Sequence, residues 1–148
     1  MITKADIAAL WLEACPSFGP AFNESCTENG VELLNVHAGA FARHILSLHR
    51  SQQRAEFHAI ACFIERLHTD GDPYTREFAT TGILEGIQNI WGHSDIPAEE
   101  FLPYLLPDST AAWHSLKQFW AGEMPPRQQL RGTLRGMDTD IEREEDRL

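Results

Sequence analysis

The sequence predicts an all-α protein with about six helices, arranged as an antiparallel bundle or as a short stack of helical pairs. Apolar residues recur at the spacing of a helix face in each of its long segments. No segment shows the period-two alternation or the Asn-Gly turns that indicate strands. Short connectors between successive helices favour antiparallel packing. We place one helical domain at residues 1–122 of the 148.

The first helix begins near Thr3, which we interpret as its N-cap with Asp6 as an acidic partner in the first turn. Its apolar positions at helical spacing are Ile7, Leu10, Trp11 and Ala14. Pro16 ends the helix, since proline disrupts a helix interior. Residues 16–34 contain two prolines and two glycines. We therefore predict a long connection there, with one short helical turn.

The second and third helices have regular apolar stripes. The second, at about residues 35–50, has an apolar side formed by Ala38, Phe41, Ile45 and Leu48. The third, at about residues 53–70, is expected to bury Phe57, Ile60, Phe63, Ile64 and Leu67. Gly71 follows it in the manner of a C-cap.

The fourth helix has the clearest start signal in the chain. Asp72 serves as its N-cap and Pro73 as its first residue, where the missing N–H of proline costs nothing. The helix is expected to continue to Trp91 and to end at Gly92. Its core face is predicted to consist of Ala79, Ile83, Ile87, Ile90 and Trp91.

Two further helices complete the predicted domain. A short fifth helix starts near Pro97 and contains Phe101 and Leu102 before Pro103. Asp108 is expected to cap the sixth helix, which ends near Gly122. Its apolar stripe consists of Ala112, Trp113, Leu116, Phe119 and Trp120.

Residues 123–148 differ from the domain in composition and are predicted to form an Arg-bearing segment and a tail. Arg127, Arg131 and Arg135 lie four apart, so a helix there would have one basic face. The stretch 138–148 is rich in acidic side chains, and we expect it to be a mobile, solvated tail.

The net charge of −10 limits the kinds of partner. An acidic body would be repelled by a phosphate backbone, so nucleic acid is not an expected partner, whereas a basic protein is favoured. No apolar run approaches the ~20 residues that span a bilayer. The first residues also lack the pattern of a secretory signal. We therefore expect a cytoplasmic protein that does not bind membranes.

The three cysteines do not suggest a disulfide framework or a zinc ribbon. Cys15, Cys26 and Cys62 are an odd number and include no CxxC pair. We expect free thiols, in keeping with a reducing compartment.

Several histidines raise the question of a metal or catalytic centre. His58, Cys62 and Glu65 share one flank of the third helix, and Glu65 with His68 has the ExxH spacing of di-iron carboxylate bundles. The di-iron site needs a second ExxH pair, which is absent, and His68 falls on the apolar side. We predict no metal, no cofactor and no catalytic residue. His37 and His44 are expected to stabilise packing or to line a groove.

The face of the fourth helix opposite its core side is unusual for a solvated surface. It contains no lysine, and its residues are Tyr74, Glu77, Phe78, Thr81, Gly82, Glu85, Gln88 and Asn89. Glycine inside a helix costs about 1 kcal/mol relative to alanine and often marks a close approach of another backbone. This face is therefore expected either to pack on a neighbouring helix or to line a binding surface.

A family resemblance rests on several of these motifs. They are Ile64-Glu65-Arg66-Leu67-His68, Gly71-Asp72, Leu84-Glu85-Gly86-Ile87-Gln88-Asn89-Ile90-Trp91, Phe101 and Trp113 with Phe119-Trp120. Over roughly residues 35–122 the chain resembles a family of small, uncharacterised bacterial helical proteins that are similar to toxin-immunity proteins. The resemblance implies binding to a cognate toxin, and it supplies no catalytic residues.

The sequence therefore favours a protein-binding domain, with a bacterial toxin as the expected partner. The predicted binding residues are Glu65, Asp72, Glu77, Thr81, Glu85, Gln88 and Asn89. One alternative is a small metal-binding protein or enzyme that uses His58, Glu65 or Glu85. Another is an adaptor that oligomerises through the face containing Gly82 and Gly86.

Overall fold

The computed structural model describes residues 1–122, and these residues form seven α-helices without a β-strand. The helices are α1 (Lys4–Ala14), α2 (Gly19–Asn29), α3 (Leu34–Arg50), α4 (Phe57–Asp70), α5 (Pro73–Glu77), α6 (Glu85–Gly92) and α7 (Pro107–Trp120). A π-helical segment, Phe78–Leu84, joins α5 to α6. Short 3₁₀ turns lie at Pro16–Phe18, Ala98–Glu100 and Leu102–Tyr104. The all-α prediction is confirmed for this part of the chain, with seven helices rather than about six.

The chain divides into two compact units, Met1–Trp113 and His114–Leu148. The first contains α1 to α6 and the beginning of α7, and the second contains the end of α7. The predicted Arg-bearing segment and acidic tail at 123–148 lie outside the described residues. Among the residues described, no helix is both long and apolar enough to span a bilayer.

Helix α2 corrects the prediction of a long connection over residues 16–34. Pro20 is the second residue of the helix, where its missing N–H costs nothing, and Gly30 ends the helix with a φ of +98°. Phe22 and Ser25 supply its buried side. The prolines and glycines therefore mark the two ends of a helix rather than a loop.

Helices α1 and α4 run in opposite directions and share the centre of the core. At one end, the Ile2 amide donates to the Asp70 carbonyl and the Asp72 amide donates to the Ile2 carbonyl, each at 2.8 Å. Further along, the Trp11 and Phe63 rings stack with centroids 6.2 Å apart. This pairing packs the middle of α4 against α1.

Helix α3 runs in the same direction as the helix over residues 73–92. Helix α4 lies between them in the sequence and runs in the opposite direction. A Cβ atom at Gly86 would lie 3.6 Å from the Ala38 carbonyl oxygen, and one at Gly82 would lie 2.8 Å from Asn35 Oδ1. The Trp91 indole donates to the Ala42 carbonyl at 3.0 Å. The glycine-bearing face therefore packs on a neighbouring helix, one of its two predicted roles.

The π-helical segment corrects the predicted faces of this helix. The Glu85 amide donates to the Thr80 carbonyl, five residues earlier, so the turn holds an extra residue. The faces after the segment are rotated relative to those before it. Phe78 and Gly82, predicted on the polar face, are buried, and the Phe78 ring packs against Trp11 with centroids 5.6 Å apart.

The predicted fifth helix is two 3₁₀ turns instead of an α-helix. Pro103 lacks the N–H that an α-helix would need there, and the chain closes into shorter turns on either side of the buried Phe101. Helix α7 then begins at Pro107, so Asp108 lies within its first turn rather than at its N-cap. In the predicted apolar stripe, Trp113 and Leu116 are buried, whereas Trp120 is 53% exposed.

Candidate functional site

Glu65, predicted to bind a partner or a metal, caps the start of α7 from the middle of α4. Its Oε2 accepts a hydrogen bond from the Asp108 amide at 3.0 Å. Its Oε1 accepts from the Ser109 amide at 3.0 Å and from the Ser109 hydroxyl at 2.9 Å. The first amides of a helix have no partner within the helix, and a carboxylate satisfies them well. Glu65 therefore joins α4 to α7 and is not a solvent-facing ligand.

His68 completes a buried polar cluster beside this cap. Its Nδ1 is 3.1 Å from Ser109 Oγ and its Nε2 is 3.0 Å from Thr80 Oγ1. Burial lowers the pKa of His68 below its ordinary value, although the charge of Glu65 acts in the other direction. Because the Ser109 side chain is fully buried, this Glu–Ser–His group cannot serve as a nucleophilic site.

A second cluster of the same kind, which the sequence did not reveal, lies at the 3₁₀ turn between α1 and α2. Glu56 precedes α4, and its carboxylate accepts hydrogen bonds from the Ser17 amide at 3.1 Å and the Ser17 hydroxyl at 2.5 Å. The Cys15 thiol also donates to Glu56, with sulfur and oxygen 3.3 Å apart. His44 Nε2 lies 2.8 Å from Ser17 Oγ. In both clusters, a carboxylate from the α4 region accepts from backbone amides near the start of a helical segment that begins with proline, one amide for Glu56 and two for Glu65.

The electrostatics of the second cluster indicate a structural role as well. Because the Ser17 hydroxyl donates to Glu56, it accepts from His44, which is the reverse of a nucleophile activated by a histidine base. Burial raises the pKa of the Cys15 thiol to about 12, so the thiol stays protonated and unreactive. Burial also lowers the pKa of His44. The cluster therefore lacks an activated nucleophile.

Both clusters predict a stability that falls in mild acid. Burial would raise the pKa values of Glu56 and Glu65, but the hydrogen bonds from Ser17 and Ser109 outweigh it and hold both pKa values below normal. Such groups stabilise the fold above the ordinary glutamate pKa, and this contribution disappears as the pH falls through their folded pKa. Burial lowers the pKa values of two histidines, so the unfolded chain protonates first and stability declines already below the ordinary histidine pKa of 6.5.

We expect urea unfolding midpoints to fall in two stages as the pH is lowered from about 8 to about 2, first below the ordinary histidine pKa of 6.5 and then below the ordinary glutamate pKa of 4.5. In a His44→Gln, His68→Gln double variant, the fall in midpoint during the first stage should be smaller. Circular dichroism over the same pH range measures the midpoints. An unchanged midpoint between neutral pH and about pH 5 would contradict this assignment.

The possible metal ligands on the flank of α4 do not come together in the structure. His58 Nε2 and Cys62 Sγ are 3.6 Å apart, but the Glu65 carboxylate points toward α7 instead. Within residues 1–122, no group of three His, Cys, Asp or Glu side chains could hold a metal ion.

His37 holds the connection between α2 and α3 in one conformation. This fully buried ring bonds Ser25 Oγ through Nδ1 at 2.6 Å and the Gly30 carbonyl oxygen through Nε2 at 2.9 Å. The connection and the first turn of α3 nevertheless expose three aliphatic side chains, which we call the α2–α3 edge. They are Val31, Leu33 and Val36, with exposed fractions of 56%, 51% and 42%.

The seven predicted binding residues do not share one surface. Glu65 caps α7, and Asp72 caps α5 by accepting from the Thr75 amide at 2.8 Å. Gln88 donates to the Trp113 carbonyl at 3.2 Å and is half-buried. Among the other predicted binding residues, Glu85 is half-buried, and Glu77, Thr81 and Asn89 are exposed.

One exposed predicted residue lies beside the α2–α3 edge. The contact between Asn35 and the Gly82 position places the start of α3 against the π-helical segment, next to Thr81. The exposed Thr81 hydroxyl donates to the Glu77 carbonyl at 2.9 Å. The start of α3, which contributes Val36 to the α2–α3 edge, therefore lies against the turn that contains Thr81. Periodicity did not reveal the edge, because Val31 and Leu33 lie in a connection and Val36 lies outside the apolar stripe of α3.

Comparison with known proteins identifies a family for this chain. A family described as a domain of unknown function (DUF7674) matches residues 8–121, which include both Glu–Ser–His clusters and the α2–α3 edge. No curated protein and no solved structure gives a significant match to the chain.

Proposed function

The chain belongs to the DUF7674 family, and we propose that it is a non-catalytic, immunity-type protein that binds and neutralises a bacterial toxin in the cytoplasm. The α2–α3 edge is the observation that carries this proposal. Three aliphatic side chains within residues 31–36 remain about half exposed, and clustered exposed apolar groups are typical of protein-binding surfaces. Because His37 fixes the connection, binding would lose little conformational entropy.

The hydrogen-bonded clusters support binding over catalysis. The carboxylates of Glu56 and Glu65 accept hydrogen bonds at the starts of helical segments. Neither neighbouring serine is an activated nucleophile. The metal-binding or enzyme alternative therefore loses Glu65 as a candidate. An oligomerising adaptor would need a surface other than Gly82 and Gly86, which pack within the chain.

A protection assay tests the proposal. The chain is expressed with the product of the neighbouring upstream gene in a sensitive host, and survival is measured. We expect Leu33→Arg and Thr81→Arg to reduce the tolerated toxin dose about tenfold or more, since each inserts a long charged side chain into the contact and 1.4 kcal/mol of affinity is a factor of ten.

Thr69→Arg is the matched control, because Thr69 is exposed on α4 and lies outside the proposed surface. It should protect like the parent chain, and circular dichroism should show all three variants folded. The proposal fails if the upstream product is harmless with or without this chain and a pull-down from the producing cells retains no partner dependent on Leu33 and Thr81.

A further inference from the structure

An acidic border adjoins the α2–α3 edge. Glu24 and Glu28 lie one turn apart on the exposed side of α2, and Glu32 stands between Val31 and Leu33 in the connection. All three carboxylates, which we call the acidic border, are exposed. In the described part of the chain, none of them has a hydrogen-bond or ion-pair partner.

Folding does not explain these charges. Residues 5–42 contain five carboxylates and no lysine or arginine. Glu24 and Glu28 stand at i and i+4, where like charges destabilise a helix. Several carboxylates elsewhere have internal partners, as in the Arg50–Asp95 and His49–Glu100 pairs and in the cap formed by Glu65. The border therefore retains its full attraction for positive charge from outside the chain.

We propose that the α2–α3 edge and the acidic border together bind a basic amphipathic helix of the partner protein. Apolar side chains of that helix would contact the edge, and its lysine or arginine side chains would pair with the border. The spacing of Glu24 and Glu28 by one helical turn, about 5.4 Å along the axis, matches that of basic residues at i and i+4 on the partner. This inference rests on the proposed function and identifies the chemistry of its partner.

The apolar edge selects among positively charged partners. Electrostatic attraction alone gives fast but unselective association, whereas apolar contacts at fixed positions require a matching apolar stripe. A helix carries apolar and basic residues on adjoining stripes of one surface. Helix-in-groove recognition uses the same pattern of anchors.

A synthetic probe tests the inference with the full chain. The probe is a leucine–lysine peptide about five helical turns long with all its leucines on one face, and binding is measured by titration calorimetry. We expect saturable one-to-one binding that weakens with ionic strength. The Glu24→Gln, Glu28→Gln variant should weaken binding about tenfold or more, and Leu33→Ser should weaken it by a similar factor.

Two controls separate this site from general attraction to an acidic protein. The Glu13→Gln, Asp70→Asn variant also removes two exposed carboxylates and should bind the probe like the parent chain. A peptide of the same composition with scrambled leucine positions should bind far more weakly. Equal binding of the scrambled peptide, or equal weakening in both double variants, would overturn the inference.

The protection assay distinguishes failure of this inference from failure of the proposed function. If Leu33→Arg abolishes protection while Glu24→Gln, Glu28→Gln keeps it in full, the edge binds the toxin without a basic helix and the inference is wrong. If both variants lose protection and the probe binds as expected, both proposals are supported. If the chain gives no protection at all, the proposed function fails whatever the probe does.

Discussion

Replacing Trp11 with alanine is expected to lower the free energy of unfolding by about 3–5 kcal/mol. The Trp11 side chain is fully buried. Five phenylalanine rings have centroids within 6.2 Å of its own, and they are Phe18, Phe22, Phe41, Phe63 and Phe78. Because these rings come from five segments of the chain, no single side chain can move into the cavity. Urea unfolding followed by circular dichroism measures the loss.

Two variants test whether the aromatic volume is responsible. Trp11→Phe keeps a ring and removes the buried indole N–H, which has no hydrogen-bond partner in the described part of the chain. The loss of unfolding free energy in Trp11→Phe should be much smaller than in Trp11→Ala, because the substitution also removes an unsatisfied donor. Trp120→Ala removes a half-exposed indole and should change stability by about 0.5 kcal/mol or less. Similar losses in all three variants would show that Trp11 does not organise the core.

Helix boundaries were predictable where a local side chain satisfies the backbone. Asp72 accepts from the Thr75 amide as its position before Pro73 indicated. The Thr3 amide likewise donates to the Asp6 carboxylate at 2.9 Å. These interactions join residues three apart, so the sequence around them contains all the information they need.

Helix α2 shows where local signals become ambiguous. Pro20 and Gly30 disrupt a helix interior, yet they are favourable at its beginning and end. The stretch between them offers only a narrow apolar side, with Phe22 as its one large buried residue. The choice between loop and helix depends on Phe22 packing against Trp11, and that contact belongs to the tertiary fold.

The faces of the fourth helix were predicted incorrectly for a related reason. A uniform helix would have placed Phe78 and Gly82 with Thr81 on one side, but the π-helical segment lets Phe78 enter the core beside Trp11. A single residue added to a turn rotates every later side chain, and no residue type marks its position. The sequence therefore predicted the helix, but the structure was needed to show which residues lie on its buried and exposed faces.

Glu65 was predicted to bind a partner, but in the structure its carboxylate accepts from a residue 44 positions later in the chain. Its flank on α4 suggested a metal ligand or a partner contact. Only the tertiary fold brings the start of α7 to the carboxylate. Chain spacing cannot reveal a cap supplied by another helix, and the same limit hid the pairing of Glu56 with Ser17.

Replacing Glu65 with alanine is expected to lower the free energy of unfolding by about 2–4 kcal/mol. The change removes three hydrogen bonds to a charged acceptor, and the buried Ser109 hydroxyl loses the carboxylate to which it donates. Thermal unfolding measures the total loss. Hydrogen exchange of the Asp108 and Ser109 amides should accelerate more than exchange in α1, since the missing cap loosens the start of α7 first.

Glu65→Gln separates the charge from the shape of this cap. The amide oxygen can accept from one backbone N–H, but the amide nitrogen would meet the other donor, so we expect an intermediate loss. Glu77→Ala removes an exposed glutamate of the neighbouring helix and should cost about 0.5 kcal/mol or less. If Glu65→Ala unfolds with the midpoint of Glu77→Ala, the carboxylate does not hold α7 to α4, and Glu65 becomes available again as a binding residue.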